Sequence, residues 1–443
     1  MMSSDPRLAA DAPRSLWEAT APPHPDLPAL SESSRADVVV VGGGYLGLST
    51  ALRLAQQGAQ VVLLEGETIG FGASGRNGGQ VIPGLKHDPD EIEQLYGQGR
   101  GEQLVHFAGT APDKVFDTIE RYGIQCDAVR QGWIQGAHSV AALATVQRRA
   151  AQWIRRGARA ELLDKATVDD LVGCAPDLYH GGWIDRRAGS VHPLNYALGL
   201  AGAARQLGAK LYEHSPVVQI RREDRQGSQG SQDGAWRVTT AAGASVLAEQ
   251  VVVATNAYTD ELWPKLRQSI IAVQSFQVAT EPLSDAQRRA VLREGQVVSD
   301  ARRLLHYYRL DGAGRLLIGG RGSLAMPTGT AAFAHIQRAL AKTFPQLADV
   351  PVHYHWSGRI AMTRDALPHL HRPAPGITLA LGCNGRGVAL TTAIGQGIAE
   401  HLLDGGTTPL PFPASAIKPI PFHRFHRMGV SLLVQYYTVR DKF

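Results

Sequence analysis

Cysteine is scarce: the 443-residue chain has 3, Cys126, Cys174 and Cys383, widely separated and in no CxxC or Cys/His spacing. This argues against a disulfide framework and a thiolate zinc site, and no other metal-ligand cluster is seen; the thiols read as buried or idle groups in a reducing compartment. Long apolar runs are missing too, since none approaches the ~18 residues that cross a bilayer. Met1 to Asp5 lack a basic stretch followed by an apolar one. A cytoplasmic protein without a membrane span is expected. Nor is there a surplus of one charge: 45 Lys and Arg against 40 Asp and Glu give +5, and pairs such as Arg155-Arg156 and Arg302-Arg303 are scattered. That is no nucleic-acid footprint, although a mild positive excess suits an anionic cofactor or substrate. At 44% hydrophobic and 19% charged residues the composition is that of a globular protein. Its length allows about two or three domains, and no internal repeat or signal for an oligomeric state is seen.

What the chain has in quantity is glycine, 48 residues, and three glycine segments organise it. The first follows Val38 to Val41, a run expected to form a strand buried on both faces. Leu46, Ala51, Leu52 and Leu54 then recur at helical spacing. Between strand and helix, Gly42 permits a tight turn, Gly44 lets the backbone approach a pyrophosphate, and Gly47 lets helix pack on strand. The helix N-terminus is left aimed at phosphates. A second strand, Val61 to Leu64, ends in Glu65, about 20 residues beyond the turn, where a carboxylate accepts ribose hydroxyls. A lone GxGxxG is weak, but here strand, helix and acidic residue all stand where a dinucleotide fingerprint needs them.

The second segment, Thr68 to Gln80, mixes glycines with Phe71, Ser74 and Asn77 and cannot be a helix interior, so its backbone is expected to be shaped around a ligand. The third is Gly382 to Gly387, between a strand at Ile377 to Leu381 and a helix at Val388 to Leu403. Around these, residues 1 to about 35 are expected to form an extended arm, because Pro22, Pro23 and Pro25 block helix and sheet, with Trp17 as its anchor. Asp88 to Arg156 reads as mainly helical. Strands at Lys210 to Glu213, Val217 to Arg222 and Trp236 to Thr240, with a polar tip at 226–234, read as a meander that ends in the buried strand Val251 to Ala254. The region from Asp260 to His355 is strand-rich, followed by a helix at Phe333 to Phe344 within it.

With these residues in hand, the chain resembles the D-amino-acid-oxidase superfamily of FAD-dependent oxidoreductases, and within it the gamma-glutamylputrescine oxidoreductase branch. The resemblance is carried by Ser15 to Trp17, Gly70 to Gln80, Val253 to Tyr258 and Tyr436 to Asp441. It implies an α/β fold, in which a Rossmann-like FAD-binding domain of glutathione-reductase type is interleaved with an α+β substrate domain. The arm would cover 1–29, the FAD domain 30–85, 158–260 and 356–405, the substrate domain 86–157 and 261–355, and a C-terminal extension 406–443. Carried over position by position, Gly42, Gly44, Tyr45, Leu46 and Gly47 hold the pyrophosphate and Glu65 the ribose. Gly72, Ser74, Arg76, Asn77, Gly78, Gly79 and Gln80 run under pyrophosphate and flavin ring, Val217 lies beside adenine, and Ala254, Gly385, Arg386, Gly387 and Val388 complete the site.

Relatives with covalent FAD use a late cysteine or an early histidine. This chain has Met362 near the first position and Arg76 and Asn77 at the second, which implies non-covalent FAD. Sarcosine oxidases carry a lysine over the flavin that assists oxygen, where this chain has Leu317. The flavin would do the redox chemistry, so no residue is singled out as an obligatory acid or base. Candidates for contacting substrate are Tyr307 or Tyr308, which point to opposite faces of one strand, and Arg309, Trp356, Arg359, Asn384 and Arg386. Arg359 and Arg386 could equally pair with carboxylates or cofactor phosphates. His306, His353, His355 and His369 read as satisfied histidines. Three functions follow. One is an oxidase of a small-molecule amine, giving imine, then aldehyde and ammonia, with oxygen reduced to hydrogen peroxide. The others are an amino-acid dehydrogenase with another electron acceptor and a non-catalytic FAD-binding redox protein.

Overall fold

A computed structural model describes residues 15–223, 234–431 and 434. The arm before Ser15, residues 226–233 of the expected polar tip and the Tyr436 to Asp441 motif lie outside the described residues. In chain order the strands are β1 (Ser34–Val41), β2 (Val61–Leu64), β3 (Gln80–Val81), β4 (Trp133–Gly136), β5 (Ala160–Leu163) and β6 (Gly182–Asp185). Next come β7 (Gly189–Ser190), β8 (Lys210–Tyr212), β9 (Val217–Glu223), β10 (Ala235–Thr240), β11 (Ser245–Val253) and β12 (Ile271–Pro282). The last are β13 (Val297–Asp300), β14 (His306–Leu310), β15 (Arg315–Arg321), β16 (Val352–Met362), β17 (His369–His371) and β18 (Ile377–Leu381).

The first sheet runs β17-β18-β11-β1-β2-β8, with β10 and β9 added from β11. Its centre is parallel, Val40 of β1 lying between Leu63 of β2 and Val252 of β11. The four valines alternate between two cores, as a strand covered on both faces requires. Val38 and Val40 pack with the helices Tyr45–Gln56 and Gly387–Leu403, whereas Val39 and Val41 join Trp236 and Val238. The strand Lys210–Tyr212 does not open the meander. It pairs parallel with β2, and the antiparallel meander is β9-β10-β11 alone.

The second sheet runs β16-β12-β15-β14-β13-β4-β6-β5. On one face Phe276, Val278, Tyr308, Leu316 and Ile318 pack against the helices Lys165–Val172 and Ala334–Thr343. The opposite face carries Ser275, Gln277 and Tyr307 toward a cavity shared with the first sheet. Sheet membership departs from the expected domain limits. Strands β5 and β6 belong to the second sheet although 158–260 was assigned to the FAD domain, and β16 extends that sheet to Met362, past 356. Short strands paired across long loops leave no local pattern; β4, inside the stretch expected to be mainly helical, is a further case.

The arm is not wholly extended. Leu16–Thr20 is a helix closed by a capping box in which Ser15 and Glu18 exchange side-chain and backbone bonds. It presents Trp17, 1% exposed, edge-on to Trp356 and His192, with Leu317 and Leu194 in the same apolar cluster. Trp17→Ala is expected to cost about 3–5 kcal/mol in urea unfolding. A loss below 1 kcal/mol would show that the arm does not hold the body together.

Candidate active site

The first glycine segment forms the turn its residues predict. Gly42 has φ +111°, and a Cβ on Gly47 would lie 2.0 Å from the Gly42 carbonyl oxygen, so strand and helix meet at a distance no side chain allows. The helix Tyr45–Gln56 starts at Gly44 without a side-chain cap. Tyr45 N donates to Ser74 Oγ at 3.0 Å, while the N–H groups of Leu46 and Gly47 lie in the first turn, where no intrahelical acceptor exists. Glu65 closes the turn: Oε2 accepts from Gly43 N at 2.6 Å and Oε1 from Glu67 N at 3.0 Å. Burial raises its pKa above the usual carboxylate range against these bonds. The Glu65 carbonyl accepts from Ser215 N, which brings Val217 of β9 close behind. The helix Gly387–Leu403 likewise starts without a side-chain cap, at Arg386. Residues at both helix N-termini line one cavity, and both favour negative charge there.

The second glycine segment is held by its carbonyls. Arg76 O accepts from Gln277 Nε2 at 2.6 Å and Trp356 Nε1 at 3.0 Å, Asn77 O from Trp17 Nε1 at 2.9 Å, and Gly78 O from Arg309 Nε at 2.7 Å. The Asn77 side chain donates to Ala73 O, Ser74 O and the Tyr45 hydroxyl and accepts from Gly79 N. Arg76 itself is committed to Phe71 O and Glu18. Tyr307 completes the contact between loop and sheet. Its ring fills the space that a Cβ on Gly78 or Gly319 would take, 2.6 and 2.3 Å from the nearest ring atom, and its hydroxyl lies 2.8 Å from Ser275 Oγ.

The cavity has a volume of about 480 Å³. Of the expected cofactor residues, Gly44, Tyr45, Leu46, Ser74, Arg76, Asn77, Gly78, Gln80, Ala254, Gly385, Arg386, Gly387 and Val388 line it. Gly42, Gly47, Glu65, Gly72, Gly79 and Val217 are not among its lining residues. The substrate candidates divide more sharply. Tyr308 faces away into the core, its hydroxyl 2.9 Å from Tyr179, because the helix layer covers its side of β14; Tyr307 takes the cavity side. Arg309 is not among the cavity's lining residues. Its guanidinium is buried against the Trp17 ring and donates to Gly78 O, Leu310 O and Val191 O, so it anchors backbone. Burial lowers its pKa to about 10, which leaves it charged at neutral pH. Trp356 is buried beneath the loop, and Asn384 is spent on Thr363 N and Gly382 O. Arg359 and Arg386 do reach the cavity, Arg359 over the Tyr258 ring and Arg386 over Trp133 with a bond to Pro83 O. His306, His353, His355 and His369 each have a partner, in Asp300, Glu281, Gln337 and Asp365.

Lys86, Trp133, Gln135, Arg149, Ser275 and Gln277 line the same cavity and are absent from the residues expected there. Only Ser275 and Gln277, polar residues two apart and so on one face of β12, carried a local signal. Among the described residues no group of His, Cys, Asp and Glu is arranged to hold a metal, and no helix is long and apolar enough to cross a membrane.

The family model described as FAD dependent oxidoreductase matches residues 37–401. The chain is 37% identical over 431 residues to a probable oxidoreductase, OrdL, of Haemophilus influenzae, covering 94% of each. It is 36% identical over 439 residues to gamma-glutamylputrescine oxidoreductase of Escherichia coli, covering 97% of this chain and 98% of that one. Among solved structures, glycine oxidase from Geobacillus kaustophilus superposes with a TM-score of 0.69 at 23% identity, over 87% of this chain and 99% of that one. L-proline dehydrogenase from P. horikoshii gives 0.70 at 20% identity, over 89% and 99%.

A side chain at Gly44 would meet Ser74 Oγ at 2.9 Å, inside the cradle at the helix N-terminus. Gly44→Val is expected to abolish bound FAD while far-ultraviolet circular dichroism stays native-like. Gly47→Val, which strikes backbone, should prevent folding. Wild-type flavin content in Gly44→Val would remove the cradle from the account.

Proposed function

The chain belongs to the DAO family of FAD dependent oxidoreductases, and on that premise we propose that it oxidises the C–N bond of an amine that also carries a carboxylate, of the gamma-glutamylputrescine class. The residues present fit FAD: two uncapped helix N-termini, a glycine cradle that a Cβ would fill and a carboxylate at the end of β2 are what a dinucleotide requires. Leu46 and Gly47 N–H with Ser74 would hold pyrophosphate, Glu65 ribose, Val217 adenine, and Asn77, Gly78, Gly385 and Gly387 the flavin ring. FAD, when bound, supplies the two-electron relay between amine and acceptor. The substrate loses two electrons and two protons to become an imine, which water hydrolyses to aldehyde and ammonia, while oxygen gains two electrons and two protons to become hydrogen peroxide.

The observation that carries the substrate class is the charge of the cavity wall. Arg76, Lys86, Arg149, Arg302, Arg303, Arg359 and Arg386 line it against a single carboxylate, Asp300, which is itself bonded to Arg302. An anionic substrate group is favoured there. Tyr307, wedged between Gly78 and Gly319, and Gln277 present polar groups beside the loop, and Trp133, Ile360 and Leu381 exclude water. Holding the substrate in one pose is the protein's main contribution to rate. A second reading, a dehydrogenase using another acceptor, is favoured by Leu317, which is buried among Trp17, Leu194 and Trp356 and brings no cation to the cavity.

Anaerobic addition of amines to the FAD-loaded protein is expected to bleach the flavin absorbance at lower concentration for a carboxylate-bearing amine than for its analogue without the acid. Air should then restore the colour with one hydrogen peroxide per flavin. No bleaching by any amine would overturn the proposal, and bleaching that air fails to reverse would favour the dehydrogenase. Acid precipitation should release all the flavin: Met362 and Asn77 are not nucleophiles, and the cavity-lining Cys383 thiol sits against Asn256 Nδ2 at 3.5 Å. Flavin retained on the polypeptide would contradict non-covalent binding.

A further inference from the structure

We propose that Lys86, with Arg149 and Arg386 beside it, binds the carboxylate of the substrate and thereby selects which amines are oxidised. The inference rests on the proposed function and names the residue that reads the acid group. Lys86 follows β3 in the loop that leads to the helix Pro89–Tyr96 and lines the cavity. Among the described residues it has no hydrogen-bond or acidic partner. Its neighbours are cations already held in place. Arg149 spends Nε on Asp88 and Nη1 on Gln135 Oε1 at 2.8 Å, and Arg386 is fixed by Pro83 O at 2.6 Å and the Trp133 ring. Trp133 and Gln135 are in turn tied to Ser299 and Trp183. The result is two anchored guanidiniums beside one exposed ammonium that has no counterion among the described residues. A carboxylate would relieve the repulsion and take up the unused donors.

Three other cavity cations, Arg76, Arg302 and Arg359, are less suited. Arg76 is spent on Phe71 O and Glu18, and Arg302 on Asp300. Arg359 lies over Tyr258, which packs on Phe71 at the start of the second glycine segment, away from Trp133. The charges that act on Lys86 agree with this placement: its side chain is exposed to the open cavity, yet the protein that surrounds that cavity, then Arg386 and Arg149, lower its pKa to about 8, with Cys383 opposing. Asp88, next but one in sequence, is paired with Arg149, and Asp300 on β13 with Arg302. The carboxylate-binding form of Lys86 is therefore the protonated one, populated below about pH 8 and lost above it.

Steady-state kinetics of the FAD-loaded protein with two amines, identical except for the carboxylate, test the assignment in wild type, Lys86→Met and Lys86→Arg. Lys86→Met should raise KM for the acid-bearing amine about 10- to 100-fold, as loss of a charged hydrogen bond implies, with kcat and flavin content close to wild type. The analogue without the acid should change by less than about twofold, and Lys86→Arg should restore most of the loss. In wild type the ratio of the two KM values should rise above about pH 8, and in Lys86→Arg it should stay level. Equal losses on both amines, no loss on either, or discrimination erased by Arg359→Met but kept in Lys86→Met would overturn the assignment while leaving the proposed function standing. If wild type does not discriminate, or no acid-bearing amine bleaches its flavin, both fall.

Discussion

Three consecutive carbonyl oxygens, those of Arg76, Asn77 and Gly78, join the two halves of the molecule. Their donors are Gln277 and Trp356 from two strands of the second sheet, Trp17 from the arm and Arg309 from a third strand. The loop they hold touches the first sheet's turn through Ser74 and Tyr45. A glycine-rich segment loses much entropy on ordering and makes few side-chain contacts of its own. Bonds to its backbone are therefore the available means of fixing it. Each is partly buried, so an unmade one would leave a carbonyl poorly satisfied at a cost of up to about 1–3 kcal/mol. The indoles, the amide and the guanidinium read as support for the loop rather than as chemistry.

A second constraint is electrostatic. The cavity wall combines two helix N-termini with seven cationic side chains and one carboxylate. Part of that field serves the diphosphate of the cofactor, and the part built from Lys86, Arg149 and Arg386 lies against Trp133 in the second sheet's wall. Those three cations come from a loop, the helix Val140–Ile154 and the third glycine segment, and the second sheet gives them Trp133 and Gln135 to pack on. Arg309 marks the boundary between the roles: it is a cation near the site, yet all its bonds end on carbonyls.

Much of this was legible in the residues. The valines of β1, the glycines of the turn, Glu65 and the loop through Asn77 are local patterns, each forced by geometry within a few residues. Helix and strand types followed in most places. What was not legible depends on distant pairing. Whether Tyr307 or Tyr308 faces the cavity is decided by which side of β14 the helices Lys165–Val172 and Ala334–Thr343 cover, and nothing near position 307 records it. Lys86 and Arg149 are 63 residues apart (149 − 86) and meet only because the helix Val140–Ile154 packs beside the loop after β3. The sheet membership of β5 and β6 is hidden for the same reason. Arginine at 309 looked like a ligand because sequence shows charge and not the carbonyls that surround it.

The most direct measurement is a crystal structure of the FAD-loaded protein with a carboxylate-bearing amine that is not turned over. The account predicts pyrophosphate at the first turn of the helix Tyr45–Gln56, the flavin ring between Asn77-Gly78 and Gly385-Gly387, the three carbonyls still bonded to their four donors, and the carboxylate at Lys86. A flavin bound outside this cavity, or a loop released from Trp17, Gln277, Trp356 and Arg309 when the cofactor is in place, would contradict it.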